Sequence, residues 1–200
     1  QVYRLSPSGR VLAAKFTDLL RTVESMQTVE GVARWLPESA PDPQHFADAT
    51  VVVPTPANVL AHIERAEQLL EDATVLRIVT PSVFPEALRN QRIRSIEGDQ
   101  RQEVVVGGDA IDVVLTDPEL AAITRELIDS TNVRVYRYDG PIDCVLSLVD
   151  GRAVVGVLDE SGVPRAHIES TNEAVVDWAE ETFRRYRGEA TPITDSDFDP

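Results

Sequence analysis

Residues 144–158 read CVLSLVDGRAVVGVL, and this stretch sets the character of the last third of the chain. Two runs rich in valine and leucine, Cys144–Val149 and Ala153–Leu158, flank the dipeptide Asp150-Gly151. An Asp-Gly pair between two apolar runs is typical of a tight hairpin turn, because both residues tolerate a positive φ. The stretch therefore predicts two antiparallel strands joined by a two-residue turn.

Further β-rich runs lie on both sides of this hairpin. Val133–Tyr138 precedes it, and Pro164–Ile168 follows it after a second turn at Ser161-Gly162. A final helix is predicted from Asn172 to about Arg187, with Thr171 or Asn172 as its N-cap.

Upstream of residue 131 the apolar periodicity alternates between strand and helix. Residues 98–110 are ambiguous, with Glu103–Val106 as a possible strand and 107–109 as a turn. The other predicted elements are strand Thr50–Val53, helix Asn58–Ala73, strand Val75–Val79, helix Pro85–Ile96, strand Ile111–Leu115 and a helix from Pro118 to about Ser130. Alternation followed by hairpins predicts an α/β fold, a mixed sheet flanked by helices.

The first 48 residues are organised differently. Val2–Leu5 is a candidate strand, and a helix is predicted from about Arg10 to Met26, with a shorter helical piece from Thr28 to Leu36. One apolar stripe follows the longer helix at four- and three-residue spacing: Leu12, Phe16, Leu19, Val23 and Met26. The stripe is long enough for a dimer seam, but it fits equally well against the body of its own chain.

These patterns predict four regions. Residues 1–36 hold the candidate strand and a connecting or dimerisation helix, and the proline-rich residues 37–48 form a linker. Residues 49–190 form the main domain, and 191–200 form a loose acidic tail.

Charge is strongly biased and unevenly distributed. The 200 residues hold 19 Lys and Arg against 34 Asp and Glu, a formal net charge of −15, and Lys15 is the only lysine. This composition argues against a chain that coats nucleic acid or anionic membrane with its whole surface, and it is typical of a high-salt cytoplasm. Basic residues nevertheless outnumber acidic ones in residues 1–36, which indicates that this end meets an anion.

Enzyme signatures are not visible. No phosphate-binding loop, G-x-G-x-x-G or G-x-S-x-G motif occurs, and the single Cys144 lies inside an apolar run. His45, His62 and His167 are not spaced as metal ligands, so we predict no metal and no cofactor. No apolar run is long enough for a membrane span, and no signal segment starts the sequence.

Polar residues follow two of the predicted strands at the positions where α/β sheets hold ligands. These are Thr80 and Ser82 after one strand, and Thr116 and Asp117 after the other. They predict a small-molecule pocket. Each is also a residue type that caps helices routinely, so helix capping remains the alternative.

Two parts of the chain resemble archaeal transcription regulators. Residues 2–10, VYRLSPSGR, resemble the strand that closes the wing of a winged helix-turn-helix domain and leads into a long helix. Residues 133–136 and 146–159, with the last helix around Trp178, resemble the middle domain of methanogenesis-type (Fil-type) regulators, which is related to TrmB-like sensors and is compared with phospholipase D-like folds.

The resemblance implies a function and its site residues. The wing would contact double-stranded DNA through Tyr3, Arg4, Ser6 and Arg10, with the recognition helix expected before Gln1. The main domain would bind a small-molecule effector, and the protein would be a cytoplasmic homodimer. The alternatives are a stand-alone ligand-binding or dimerisation domain, or a phospholipase D-like hydrolase, although His167 is followed by Ile168 and Glu169 rather than by the lysine of an H-x-K motif.

Overall fold

A single mixed sheet forms the centre of the part of the chain that the computed structural model describes. That part is residues 6–198, with the backbone alone at positions 21, 22, 24–26 and 28. The strands are β1 Thr50–Val52, β2 Val75–Thr80, β3 Arg101–Gly107, β4 Val133–Tyr138, β5 Cys144–Val149, β6 Arg152–Leu158, β7 Pro164–Ser170 and β8 Thr191–Pro192. Their order across the sheet is β1-β7-β6-β5-β2-β3-β4-β8.

Helices cover both faces of this sheet. They are α1 Pro7–Ala33, α2 Ala61–Glu71, α3 Pro85–Arg92, α4 Gly108–Thr116, α5 Pro118–Asp129 and α6 Glu173–Glu189. A π-helical turn, Ile93–Glu97, extends α3, and short 3₁₀ turns occupy Pro43–Phe46 and Asp195–Phe198. The observed architecture confirms the predicted α/β class with a mixed sheet flanked by helices.

The hairpin turn between β5 and β6 adopts the predicted conformation. Asp150 has a φ of 46° and Gly151 a φ of 83°, as a two-residue hairpin turn requires. The Asp150 carboxylate also accepts hydrogen bonds from the backbone N–H groups of Thr74 and Val75, at 3.0 and 2.9 Å. The turn therefore holds β5 antiparallel to the start of β2, in the register Leu76↔Val149.

The sheet has a parallel half and an antiparallel half that meet between β2 and β5. Strands β2, β3 and β4 run parallel, connected by α3 and by the α4–α5 pair. Strands β5, β6 and β7 form antiparallel hairpins, and β1 closes that edge against β7. Because β4 pairs with β3, it does not join the hairpins that follow it in the sequence.

Each face of the sheet packs into its own core. On one face α6 packs against β2, β4, β5 and β6, with Leu146, Val155 and Phe183 among the buried side chains. On the other face α3 to α5 cover the parallel strands, with Val104 and Leu127 among the buried side chains, and α2 packs against β7 and β1. Alternation of side chains along each strand assigns neighbouring residues to opposite faces.

The predicted strand Ile111–Leu115 is wrong, because these residues lie inside α4. Ile111 and Val114 are buried while Asp112 and Val113 are exposed, which is helical rather than alternating periodicity. The adjacent strand at Glu103–Val106 is confirmed and extends over Arg101–Gly107, so residues 107–109 end a strand and begin a helix instead of forming a hairpin turn. A short apolar run does not distinguish strand from helix by periodicity alone.

Two further predictions need correction at the ends of the chain. Helix α1 is continuous over Pro7–Ala33, without the predicted interruption near residue 27. The tail is not loose over residues 191–198: β8 pairs with β4, and Ile193 is buried in the core beneath α5. The predicted strand Val2–Leu5 lies outside the described residues.

The predicted linker packs into the main domain. Phe46 is completely buried and lies in the same core as Val29 and Val32 at the end of α1. The Trp178 indole N–H of α6 donates a hydrogen bond to Ser39 Oγ at 3.4 Å. Residues 29–46 are therefore part of the core of the main domain and join α1 to it firmly.

We expect Phe46→Ala to lower the free energy of unfolding by about 3–5 kcal/mol, because the substitution leaves a cavity in a packed core. Denaturant unfolding measures this change. Phe84→Ala is the matched control, since Phe84 is 54% exposed and its truncation should change stability by only about 0.5 kcal/mol. Equal, small effects of both substitutions would show that residues 37–48 are a detached linker.

Candidate functional site

A cavity of about 230 Å³ lies between the sheet and the helices of the face that α2 to α5 cover. Its walls come mainly from strands β2, β3, β5 and β6 and from α2 and α3, and most lining side chains are apolar. The volume exceeds the roughly 150 Å³ that suffices for benzene in an engineered protein core. The space is therefore large enough for a small organic molecule.

The cavity exists because no helix lies directly over the hairpin β5–β6 on this face. Val145 of β5 and Gly156 of β6 line the cavity and are only half-buried, although their strands lie in the middle of the sheet. Helix α2 contacts the neighbouring strand β7, while α3 packs against α5. The gap between α2 and α3 leaves the middle of the sheet partly uncovered.

Three buried polar side-chain atoms in the described part of the chain lack a hydrogen-bond partner, and all three belong to residues that line this cavity. They are Nδ1 of His62 on α2, Nε of Arg94 on the π-helical turn and Oγ1 of Thr124 on α5. An unpaired polar atom in a protein interior costs about 1–3 kcal/mol. Because all three atoms are closed to solvent, they lie behind the surface of the cavity wall.

A hydrogen-bonded polar group forms one end of the cavity. Arg94 Nη1 donates to Glu67 Oε2 at 3.1 Å, which compensates both charges. The Gln91 side-chain amide donates to Gln102 Oε1 at 2.6 Å, and Gln102 in turn donates to Ser95 Oγ at 2.7 Å. These contacts hold the Arg94 guanidinium in place while its Nε–H remains unused.

A buried carboxylate anchors α2 over the sheet beside the cavity. Glu169 on β7 is 2% exposed and accepts two hydrogen bonds from Arg65 of α2, at 2.6 and 2.9 Å. Arg152 Nη1 lies 3.6 Å from its second oxygen, and His167 Nε2 lies 3.0 Å from its first. Since an ionised carboxylate only accepts, His167 Nε2 carries the proton and donates.

The surroundings of these groups shift their proton affinities. Burial lowers the pKa of His167 against the opposing effect of Glu169, and burial also lowers the pKa of His62. Burial alone would raise the pKa of Glu169, but the Arg65 hydrogen bonds and the nearby charges bring that pKa below its ordinary value. Both histidines are therefore neutral at neutral pH, and Glu169 is ionised.

Cys144 has the features of a core residue. It is buried in β5 on the face opposite the cavity, within the core beneath α6. Burial raises the pKa of its thiol to about 12, so the nucleophilic thiolate does not form at neutral pH.

The predicted pocket residues separate into two groups. Thr80 and Ser82, after β2, line the cavity, although Thr80 Oγ1 also donates to the Ser82 carbonyl at 2.8 Å. Thr116 and Asp117 do not follow a strand: Thr116 Oγ1 donates to Asp112 O at 2.9 Å, and Asp117 Oδ1 caps α5 by accepting from the Glu119 N–H at 2.9 Å. The helix-capping alternative therefore describes Asp117, whereas Thr116 bonds back to a carbonyl of its own helix α4.

Sequence reasoning did not find the three unpaired groups. His62 was visible as a histidine on an amphipathic helix, but its position beside Ile63 favoured an ordinary polar residue. Arg94 and Thr124 carried no signal, because the sequence contains many arginines and threonines on helices.

The predicted DNA-contacting and dimer residues lie on or before α1. Tyr3 and Arg4 are outside the described residues, Ser6 Oγ caps α1 by accepting from the Gly9 N–H at 3.0 Å, and Arg10 is exposed in the first turns. The stripe residues Leu12, Phe16, Leu19 and Val23 are 70, 62, 58 and 43% exposed, and the side chain of Met26 is outside the described part. The four described side chains of the stripe therefore do not pack against the rest of the described chain.

Other kinds of site are absent from the described residues. No group of three or more His, Cys, Asp or Glu side chains is arranged to hold a metal ion within residues 6–198. Among the helices described here, none combines the length and apolar character that crossing a membrane requires.

Comparison with known proteins identifies relatives of this domain. The family described as "Methanogenesis regulatory protein FilR1, middle domain" matches residues 59–189. Among curated proteins, none matches this sequence.

Three solved structures share the fold at low sequence identity. TrmBL2, an archaeal chromatin protein whose structure is described as showing a novel mode of DNA binding, is 11% identical with a TM-score of 0.56; the match covers 92% of this chain and 66% of that one. Nuc from Salmonella typhimurium, a phospholipase D family member, is 10% identical with a TM-score of 0.55, over 74% of this chain and 99% of that one. NucT from Helicobacter pylori is 9% identical with a TM-score of 0.57, over 72% of this chain and 98% of that one.

We expect the free energy of unfolding to decrease as the pH falls below about 6.5. The unfolded chain protonates His62 and His167 at their ordinary pKa, whereas the folded chain, with both pKa values lowered, binds those protons only at lower pH. Urea unfolding at several pH values between about 7.5 and 5.5 measures the slope. His167→Gln should make the dependence of the free energy of unfolding on pH less steep.

His45→Gln is the matched control for this experiment. His45 lies in the 3₁₀ turn Pro43–Phe46, away from the cavity. Its substitution should leave the pH dependence of the free energy of unfolding unchanged. A slope that stays the same in His167→Gln would contradict the neutral, buried state of that histidine.

Proposed function

Because this chain belongs to the family of the middle domain of the methanogenesis regulatory protein FilR1, we propose that it is the effector-sensing part of a DNA-binding transcription regulator. Family membership indicates the regulatory role, and the cavity is the proposed binding site of the effector. A space of about 230 Å³ that is lined mainly by apolar side chains, with Thr80 and Ser82 in its wall, has the features of a small-molecule site. This cavity is the observation that carries the proposal.

Helix α1 connects the main domain to the start of the chain, where contact with DNA is proposed. At its C-terminal end Val29 and Val32 are buried in the main core, while its N-terminal half exposes an apolar stripe. We propose that this stripe pairs with the same stripe of a second copy and that the DNA-binding heads precede it. A ligand that binds one arrangement of the domain better than another would then change the relative position of the two heads.

Contact with DNA is proposed for the start of the chain. The wing-like residues Tyr3, Arg4, Ser6 and Arg10 would contact phosphates of double-stranded DNA, with the sequence read by a recognition helix before Gln1. The exposure of Arg10 at the beginning of α1 supports this assignment. A regulator of this kind would act in the cytoplasm.

We propose that the domain is not a hydrolase, despite its fold similarity to phospholipase D-like proteins. His167 Nε2 donates a hydrogen bond to Glu169, which occupies the position two residues after the histidine where an H-x-K motif has lysine. The ring is 3% exposed and neutral because of its lowered pKa. A histidine held in this way supports α2 and the cavity wall rather than phosphodiester chemistry.

Phe16→Asp should convert a dimer of this chain into a monomer, because the charge would be buried in the proposed seam. Light scattering coupled to size exclusion measures the mass against the 22.0 kDa of one chain. The matched control is Val113→Asp, which places the same charge on a valine that is 61% exposed on α4. A wild-type chain that is monomeric at high concentration would refute the dimer.

Substitution of both Arg4 and Arg10 by Gln in the full-length protein should weaken operator binding by about tenfold and reduce its salt dependence, since phosphate contacts release counterions. Gel-shift titration at two salt concentrations measures both effects. Arg134→Gln is the control, because this exposed arginine lies on β4, away from α1. Unchanged affinity in the double variant would remove the wing assignment.

A further inference from the structure

The charges around the cavity limit the ligands that it can accept. Glu67 and Arg94 are the charged side chains among the described lining residues, and they pair with each other at 3.1 Å. The two lining histidines are buried and neutral, and Glu169 is compensated by Arg65 and Arg152. The wall therefore has no spare positive charge to compensate an anion or spare negative charge to compensate a cation.

The unpaired polar atoms beside the cavity add no requirement for the ligand. Nδ1 of His62, Nε of Arg94 and Oγ1 of Thr124 are each closed to a water-sized molecule, so an atom in the cavity does not come within hydrogen-bond distance of them.

The rest of the wall favours an apolar molecule. Leu76, Ile78, Val104, Val106 and Val154 present aliphatic side chains from three strands, and Phe84 and Ile63 add exposed apolar side chains from the helical side. A sugar would bury many hydroxyl groups against these side chains without partners, at about 1–3 kcal/mol for each group. A phosphorylated compound would bury two negative charges with no free cation.

We propose that the cavity binds an uncharged, mainly apolar molecule. At the packing density of protein interiors, about 0.75, a space of about 230 Å³ holds on the order of ten non-hydrogen atoms. Medium-chain amides, esters, ketones and alcohols belong to this class. The inference rests on the proposed effector-sensing function and specifies the chemistry of the effector.

Octanamide, octanoate and glucose are the probes for a direct test by isothermal titration calorimetry at about pH 7.5. Octanamide and octanoate have the same number of non-hydrogen atoms and differ mainly in charge, and glucose tests the polyol alternative. We expect octanamide to bind at least about tenfold more tightly than octanoate, because a buried carboxylate would lack a counter-charge. Glucose should not bind.

A pair of variants tests whether the cavity is the binding site without changing any charge. Ala66→Leu adds volume at the α2 wall and should abolish octanamide binding, while Ala122→Leu adds the same volume on the exposed face of α5 and should not. Thermal unfolding of each unliganded variant shows that it is folded. Equal affinity of wild type and Ala66→Leu for octanamide would overturn the assignment of the site.

The outcomes separate the ligand class from the function. Octanoate or glucose binding more tightly than octanamide, or no octanamide binding at about millimolar concentration, overturns the proposed class and leaves the effector-sensing function standing. Octanamide binding that is at least about tenfold tighter than octanoate binding and is abolished by Ala66→Leu supports the class. If saturating octanamide then leaves operator binding by the full-length protein unchanged, the proposed effector-sensing function fails and the binding site remains.

Discussion

The antiparallel pairing of β5 with β2 is the contact on which the rest of the architecture depends. Asp150 makes this pairing specific, because its carboxylate accepts the N–H groups of Thr74 and Val75 while its own positive φ closes the hairpin. One residue thus sets the turn and joins the antiparallel half of the sheet to the parallel half. Its backbone N–H also donates to the Val75 carbonyl at 3.2 Å.

A sheet assembled in this way is covered unevenly. Parallel strands need crossover connections, which place α3, α4 and α5 over β2, β3 and β4, whereas hairpin strands are joined by turns alone. The strands β5 and β6 therefore receive no helix of their own on this face. Helix α2 stays at the far side of the gap because Arg65 binds Glu169 on β7, and the space that remains is the cavity.

The two ends of helix α1 lie in different environments. Its last turns are part of the core with Phe46, and its first turns expose leucine and phenylalanine side chains that the rest of the described chain does not cover. In the proposed dimer, such a helix would carry a displacement of the domain along its length, about 40 Å for its 27 residues. The proposed function uses this arrangement, since sensing and DNA contact would lie in separate regions.

Local patterns in the sequence determined much of the fold. The hairpin around Asp150-Gly151, helix α6 with its Asn172 cap and the strand Val133–Tyr138 followed from turn chemistry, capping and apolar runs, which act between near neighbours. Residues 111–115 were misassigned because a five-residue apolar run fits strand and helix equally, and burial against β3 and α5 selects the helix. The predictions for the tail and the linker are wrong because the polar composition of these segments hides Ile193 and Phe46, which only tertiary packing buries.

The candidate site could be predicted from the sequence even less than the fold. His62, Arg94 and Thr124 come from three separate helical segments, and the sequence contains no spacing that connects them. The tertiary structure alone decided that they surround one cavity, because their proximity results from the strand order and not from any local pattern.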